Sequence, residues 1–278
     1  MATALVSRPP PTVHHPSFWR TLWTNAVLSP KTSLGFMRLD FVLGTVFIIP
    51  LTQMVFFVFV VRLGGGSSSS VQFTALGNAI ATVTYSAVFS VCQTTDSEKQ
   101  QGTMEHLLVS PANRFAMYLG RGLIPILISL ATATVGILYA VTLFGVPLAA
   151  SSIPSLAVSV VLTAFAMVGF GLLLGGVALY LRTSIILGNI FLFIGLLLSG
   201  VNFPASQLPL PLEWIGYGYP LTWGLLAVRD SVAGDALGTT AVVWGIVALA
   251  AAISYGLAIS LWEVFERRAL STGSIARF

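Results

Sequence analysis

The sequence predicts an all-α integral membrane protein: six transmembrane helices, an interfacial amphipathic helix before them, a cytoplasmic helix between spans two and three, and a short external re-entrant element between spans five and six. Three observations predict it. Of 278 residues, 56% are hydrophobic and 8% charged, where an ordinary soluble domain is about a quarter charged. Six apolar stretches approach or exceed the roughly 20 residues that a bilayer core about 30 Å thick requires. The basic residues are distributed on one side of those stretches. Residues 1–278 are read as a single transmembrane domain.

The elements follow in order. Residues 16–40 set Phe18, Trp19, Leu22, Trp23, Val27 and Leu28 among Arg20, Asn25 and Lys31, the pattern of a helix lying in the headgroup layer. It serves either as a membrane-anchoring elbow or as a docking surface. Pro9, Pro10, Pro11, His14 and His15 precede it, so the start of the chain does not read as a cleaved secretory signal. The spans are Phe41–Val61, Val71–Cys92, Leu123–Phe144, Ile153–Leu181, Ile185–Phe203 and Ala241–Trp262. The second carries many hydroxyls and Asn78, which are costly against lipid; that helix should be shielded by its neighbours or line a polar path. A 15-residue buried helix is the alternative there. Gly64–Ser70 reads as a flexible external loop. Pro50 and Pro125 are expected to kink their helices. In 204–240, Leu208, Leu210, Leu212 and Ile215 are too apolar for a solvated linker. A short helix or re-entrant hairpin is expected, with Trp214, Tyr217, Tyr219 and Trp223 in the aromatic belt.

Sidedness comes from Lys and Arg in the short loops. With an even number of spans, Arg8, Arg20, Lys31, Arg38, Lys99, Arg114, Arg121, Arg182, Arg267, Arg268 and Arg277 fall on one side, 11 of 13. That side is cytoplasmic and holds both termini. Only Arg62 and Arg229 fall outside. The dispersal of these charges argues against nucleic-acid binding, and the single Cys92 cannot form an internal disulfide.

Between spans two and three, Ser97 followed by Gln100 has the capping-box form, with Asp96 and Glu98 favouring a helix start. Met104, Leu107, Leu108 and Pro111 recur at i, i+3, i+4 and i+7, one apolar stripe. The residue before Pro111 leaves the helical region, so the helix ends at Ser110. A cytoplasmic amphipathic helix over 97–111 follows. By itself it could simply lie on the membrane.

This stretch closely resembles the cytoplasmic signature of permeases of the type 2 ATP-binding cassette (ABC) exporter family. In that signature an acidic-basic-acidic run leads into Gly-Thr, an apolar residue, Glu, a Leu pair and Ser-Pro. Glu98, Lys99, Gly102, Thr103, Glu105, Leu107, Leu108, Ser110 and Pro111 match it. Gln100 replaces the usual second acidic residue, and Ser97 an often basic one. Gly200-Val201-Asn202-Phe203-Pro204, Leu208-Pro209, Tyr219-Pro220-Leu221-Thr222 and Arg229-Asp230 look like the family's external element. The resemblance implies that the 97–111 helix sits in a cleft of a separate nucleotide-binding subunit and transmits its closure. It also implies a partner permease, a second copy or a paralogue, and a pathway walled by the first and fifth spans.

The chain has no phosphate loop: its only lysines, Lys31 and Lys99, follow Pro30 and Glu98. ATP and Mg are therefore expected on the partner subunit, with no cofactor or catalytic residue in this chain. His14, His15 and His106 lie outside the spans, so neither a metal site nor a proton relay is expected. Gln53, Asn189 and Asn202 are the polar residues first assigned to a translocation surface, with Phe56 as an apolar contact. Each has interhelical packing or lipid exposure as its plain alternative. Gly169, Gly171, Gly175 and Gly176 read as helix-packing positions. The resulting expectation is a plasma-membrane permease, in a bacterial inner membrane, moving an amphiphilic drug-like compound or natural product outward. Export of a lipid-linked glycan is the alternative within the same family, and a nucleotide-independent channel or scaffold the alternative from another class.

Overall fold

The computed structural model describes residues 17–24, 43–100, 114–178, 184–234 and 237–272. Among them every regular element is a helix. Helix α1 covers 18–24 and leaves the indoles of Trp19 and Trp23 exposed, with Phe18 edge-on to Trp19. The rest of the interfacial helix expected over 16–40 lies outside the described residues.

Helix α2 begins as a π-helical stretch, Gly44–Ile48, and continues as α-helix over Ile49–Leu63. The π winding sits directly before Pro50, which lacks the N–H that would close an ordinary turn. Three glycines then reverse the chain, with Gly65 at φ +76°. The expected flexible loop Gly64–Ser70 is instead a tight turn, because Ser67 caps the next helix: its Oγ accepts from the Ser70 N–H at 3.3 Å.

Helix α3 spans Ser68–Gln100, 33 residues, about 50 Å at 1.5 Å per residue. The alternative of a 15-residue buried helix is therefore excluded, and so is the helix start expected at Ser97. No Gly or Pro interrupts the chain between Gly77 and Gly102. A capping box can open a helix only where the preceding backbone is not already helical, and here the span runs straight through it.

Helix α4 is Arg114–Thr142, with Pro125 accommodated inside it, and α5 is Ile153–Ala178. Helix α6, Ser184–Leu198, has 15 residues. It is shorter than the expected fifth span, which ran to Phe203, because Gly200 adopts φ +76° and turns the chain. The 204–240 stretch, expected to be external, contains a pair of helices, α7 (Leu210–Tyr217) and α8 (Pro220–Ala233). Helix α9 runs Leu237–Thr272, ten residues past the expected end of the sixth span.

Five of these helices are long and apolar enough to cross a membrane, with cores at Gly44–Leu63, Ser68–Gln93, Gly120–Thr142, Ala150–Ala178 and Gly238–Phe265; the apolar stretch Ile185–Leu198 is shorter. Helices α3 and α5 form the centre. Helices α2 and α4 pack on α3, α6 packs chiefly on α3, and α8 and α9 pack on α5. The main core joins Ile80, Val83 and Val88 of α3 to Met167 and Val168 of α5 and Leu221, Leu225 and Val228 of α8.

The glycines of α5 do what packing asks of them. A Cβ on Gly169 would strike the Tyr255 ring at 2.7 Å, one on Gly171 would meet the Val88 backbone at 3.2 Å, and one on Gly175 the Thr95 hydroxyl at 3.2 Å. Hydroxyls serve the same interfaces. Ser86 of α3 reaches Ser129 and Thr132 of α4 at 3.1 and 3.0 Å, and Ser159 of α5 accepts from the Trp244 indole of α9 at 2.7 Å.

Candidate functional site

Two places collect the polar side chains that the fold brings together, one at each end of the α3–α6 pair. The first lies in the half of α3 nearer Ser68, beside the turn that follows α6. Gln53 of α2 donates from Nε2 to Oδ1 of Asn78 at 3.2 Å, and Asn78 donates from Nδ2 to Oδ1 of Asn202 at 2.8 Å. The Thr74 hydroxyl, one turn away on α3, donates to the Asn202 carbonyl at 3.3 Å. Asn78 is wholly buried. A buried amide left unpaired costs about 1–3 kcal/mol, so this chain of amides holds α2, α3 and the turn after α6 in one register.

Arg229 grips the same turn from α8. Its Nη2 donates to the carbonyls of Gly200 and Val201 at 2.9 and 3.3 Å, and its guanidinium lies 3.6 Å from the Phe73 ring centroid. Gly77 makes the approach possible, since a Cβ there would collide with the Val201 carbonyl oxygen and stand 3.0 Å from the Arg229 guanidinium. Arg229 was expected outside because it falls in the 204–240 stretch between spans five and six. Its helix instead folds back into the bundle, where a delocalised cation satisfies two carbonyls exposed by the turn.

The second place is at the opposite end of the pair, where α3 approaches Gln100. There the Ile185 N–H, in the first turn of α6, donates to Oδ2 of Asp96 at 3.3 Å. Asp96 and Thr95 are buried, and Thr95 donates back to the Val91 carbonyl at 3.0 Å. A cavity of about 20 Å³ beside them is lined by Val91, Thr95, Arg121, Gly175 and Trp262, with the Arg121 guanidinium 5.3 Å from the Trp262 ring. The signature segment starts just beyond. Glu98 falls in the last turn of α3, while Gly102, Thr103, Met104, Glu105, Leu107, Leu108, Ser110 and Pro111 lie outside the described residues.

The sequence-derived translocation set divides. Gln53 and Asn202 are joined, through Asn78. Asn189 is half-buried on α6 and stands apart from that chain. Phe56 is 62% exposed on α2, edge-on to Phe57. Of the four aromatic-belt residues, Trp214 is exposed, and Tyr217 and Trp223 pair at 5.5 Å. Tyr219 is buried against Gly195 of α6, its hydroxyl donating to the Phe191 carbonyl at 3.1 Å. A ring fills the space where α6 has no Cβ, which overrides the general preference of Tyr for the interface.

Asn78, Thr74 and Arg229 were not assigned to a site from the sequence. For Asn78 a signal existed: it is the one amide in the middle of a span already rich in Ser and Thr. For Arg229 none did, because its partners are backbone carbonyls.

The arrangement offers amides, hydroxyls and one cation bound to carbonyls, means of holding helices in register. The family described as ABC-2 type transporter matches residues 26–232 of the chain. Over 126 residues the chain is 27% identical to the probable multidrug ABC transporter permease YbhR of Escherichia coli strain K12, and equally to the YbhR of Escherichia coli O157:H7. These alignments cover 45% of this chain and 32% of each relative, so the chain spans about a third of the length of the curated relatives it matches.

Proposed function

From the premise that the chain belongs to the ABC-2 type transporter family and is a non-catalytic permease subunit of it, we propose that it forms the membrane half of an ATP-driven exporter. It pairs with a second copy or a paralogous permease, and with two nucleotide-binding subunits that hold ATP and Mg. Helix α6 completes a six-span layout with both termini in the cytoplasm of a bacterial inner membrane. The cargo is an amphiphilic, drug-like compound. Two features support that class over a lipid-linked glycan: the relative's description as a probable multidrug permease, and the apolar faces that α2 and α6 turn outward. Phe56 and Phe59 on α2, and Ile186, Ile190, Phe193 and Leu197 on α6, are exposed. As pathway walls they would complement a hydrophobic cargo, with Gln53 and Asn202 supplying hydrogen bonds at the outer end.

One observation carries the coupling role. Helix α3 leaves the core of the bundle and continues without a break to Gln100, into the acidic-basic run that opens the signature. A push on the segment 101–111 would therefore be delivered to a stiff rod that also carries Asn78. By the family resemblance, Met104, Leu107 and Leu108 would supply an apolar knob, and Glu105, with Glu98 just before the segment, would pair with basic groups of the ATPase.

The test is export from cells or vesicles carrying the complex. Glu105→Ala and Leu107→Asp are expected to insert and fold as the parent does while abolishing ATP-coupled export. Export at the parental rate in both would remove the coupling role. Failure of the chain to co-purify with any nucleotide-binding subunit would favour a channel or scaffold.

A further inference from the structure

Helix α6 is seated on α3 at three levels. At the cytoplasmic end the Asp96 carboxylate accepts from the Ile185 N–H at 3.3 Å. One turn further along α6, a Cβ on Gly188 would stand 3.0 Å from the Cys92 sulfur and 3.6 Å from the Val88 side chain, so those two side chains of α3 rest directly on the backbone of α6 there. At the outer end, Asn78 and Thr74 hold Asn202. The helices are antiparallel. The 18 residues from Asn78 to Asp96 span about 27 Å at 1.5 Å per residue, close to the thickness of a bilayer core. The polar contacts thus stand at the two ends of the α3–α6 contact, with apolar packing between them.

The inner contact is of a particular kind. The first N–H groups of a helix have no partner within it, and the helix dipole places partial positive charge at that end. Caps ordinarily come from the residue just before the helix. Here the carboxylate belongs to another helix, 89 residues earlier in the chain, and to its last turn before Glu98 and the signature. A carboxylate at a helix amino terminus adds charge–dipole attraction to the hydrogen bond, so the contact resists sliding as well as separation.

We propose that Asp96 is a positioning residue for transport: by capping α6 from α3, it makes the two helices move as one body when the cytoplasmic segment is displaced. The proposal rests on the coupling role assigned above and adds the route by which displacement reaches a pathway wall. Helix α2, by contrast, meets α3 through the Gln53–Asn78 hydrogen bond and apolar packing, with no carboxylate cap of this kind among the described residues, so α6 is expected to follow a push more closely than α2.

Two measurements on the full permease–ATPase complex in lipid nanodiscs test this. The first is amide hydrogen exchange across 184–188. Asp96→Ala is expected to speed exchange at Ile185 about fivefold, and Asp96→Asn, which keeps an acceptor oxygen, to stay near the parent. The second is the spin-label distance between Leu63→Cys and Leu197→Cys, at the exposed outer ends of α2 and α6; Cys92 is buried and left in place. Trapping with ATP and vanadate is expected to shift this distance in the parent. Asp96→Ala should lose the shift while ATP hydrolysis continues, and Asp96→Asn should restore it. Unchanged exchange in Asp96→Ala would overturn the cap. Faster exchange with a parental distance shift would overturn the positioning role and leave a local cap only. A parent that shows no ATP-dependent shift would instead fell the coupling role itself, and the proposal with it, while the exchange contrast would still decide whether the cap exists.

Discussion

Helices α2 and α3 are neighbours in sequence and both qualify as membrane spans, yet 83% of the apolar window of α3 is buried inside the bundle and only 22% of that of α2. The difference lies in what each helix carries. The buried face of α3 presents Thr74, Asn78, Thr82 and Ser86, with Gly77 and several Ala among them; α2 presents Phe47, Phe56, Phe59 and Val60 outward. In water, the apolar helix would be the buried one. In lipid, a Phe or Val gains nothing by leaving the acyl chains, whereas an amide or hydroxyl gains a partner and a small residue gains close van der Waals contact. Polarity and small size therefore sort helices toward the centre of this protein, and hydrophobicity sorts them toward its rim.

The sharpest way to break that comparison is to place one methyl group on each helix. Gly77→Ala drives a Cβ into the Val201 carbonyl and against Arg229. It is expected to lower stability by about 3 kcal/mol, read as the midpoint of unfolding in mixed micelles. Gly44→Ala on α2 meets no atom within 4 Å and should stay within about 0.5 kcal/mol of the parent. Equal losses would mean that α2 is as tightly enclosed as α3.

A smaller effect is expected from removing the central amide. Asn78→Leu leaves the side chains of Gln53 and Asn202 without their shared partner, which should cost about 2 kcal/mol by the same measurement. The double variant Gln53→Leu with Asn78→Leu should cost less than the sum of the two single changes, because the groups act as one chain. Strict additivity would show that the amides do not depend on one another. Smallest of all is Phe56→Leu on the exposed face of α2, expected within about 0.5 kcal/mol in stability. A larger loss would mean that this face is tightly packed rather than exposed along an open pathway wall.

Much of this fold was legible in the sequence, for a physical reason. A bilayer leaves backbone polar groups no partner but the helix itself, so any long apolar run must be helical. The length of the run then sets the span. The shielding of the second span was legible too, because Asn78 and its hydroxyls have no good place against lipid. What misled were local signals read without their surroundings. Ser97 and Gln100 have the form of a helix start, but helix already occupies the backbone before them. Gly200 ended α6 five residues before the apolar run did. Tyr219 went inward because Gly195 left room for it.

The residues alone thus determined the class of the molecule, the places of its main spans, the sequestration of α3 and the signature beyond it, since each depends only on what a side chain costs in lipid or on local spacing. Tertiary structure alone decided which groups meet. It brought Gln53 to Asn202 through Asn78, Arg229 to the carbonyls of Gly200 and Val201, and Asp96 to the amide of Ile185. Those partners are separated by up to 124 residues, and a hydrogen bond records only the distance between two atoms in space, which no pattern along the chain encodes.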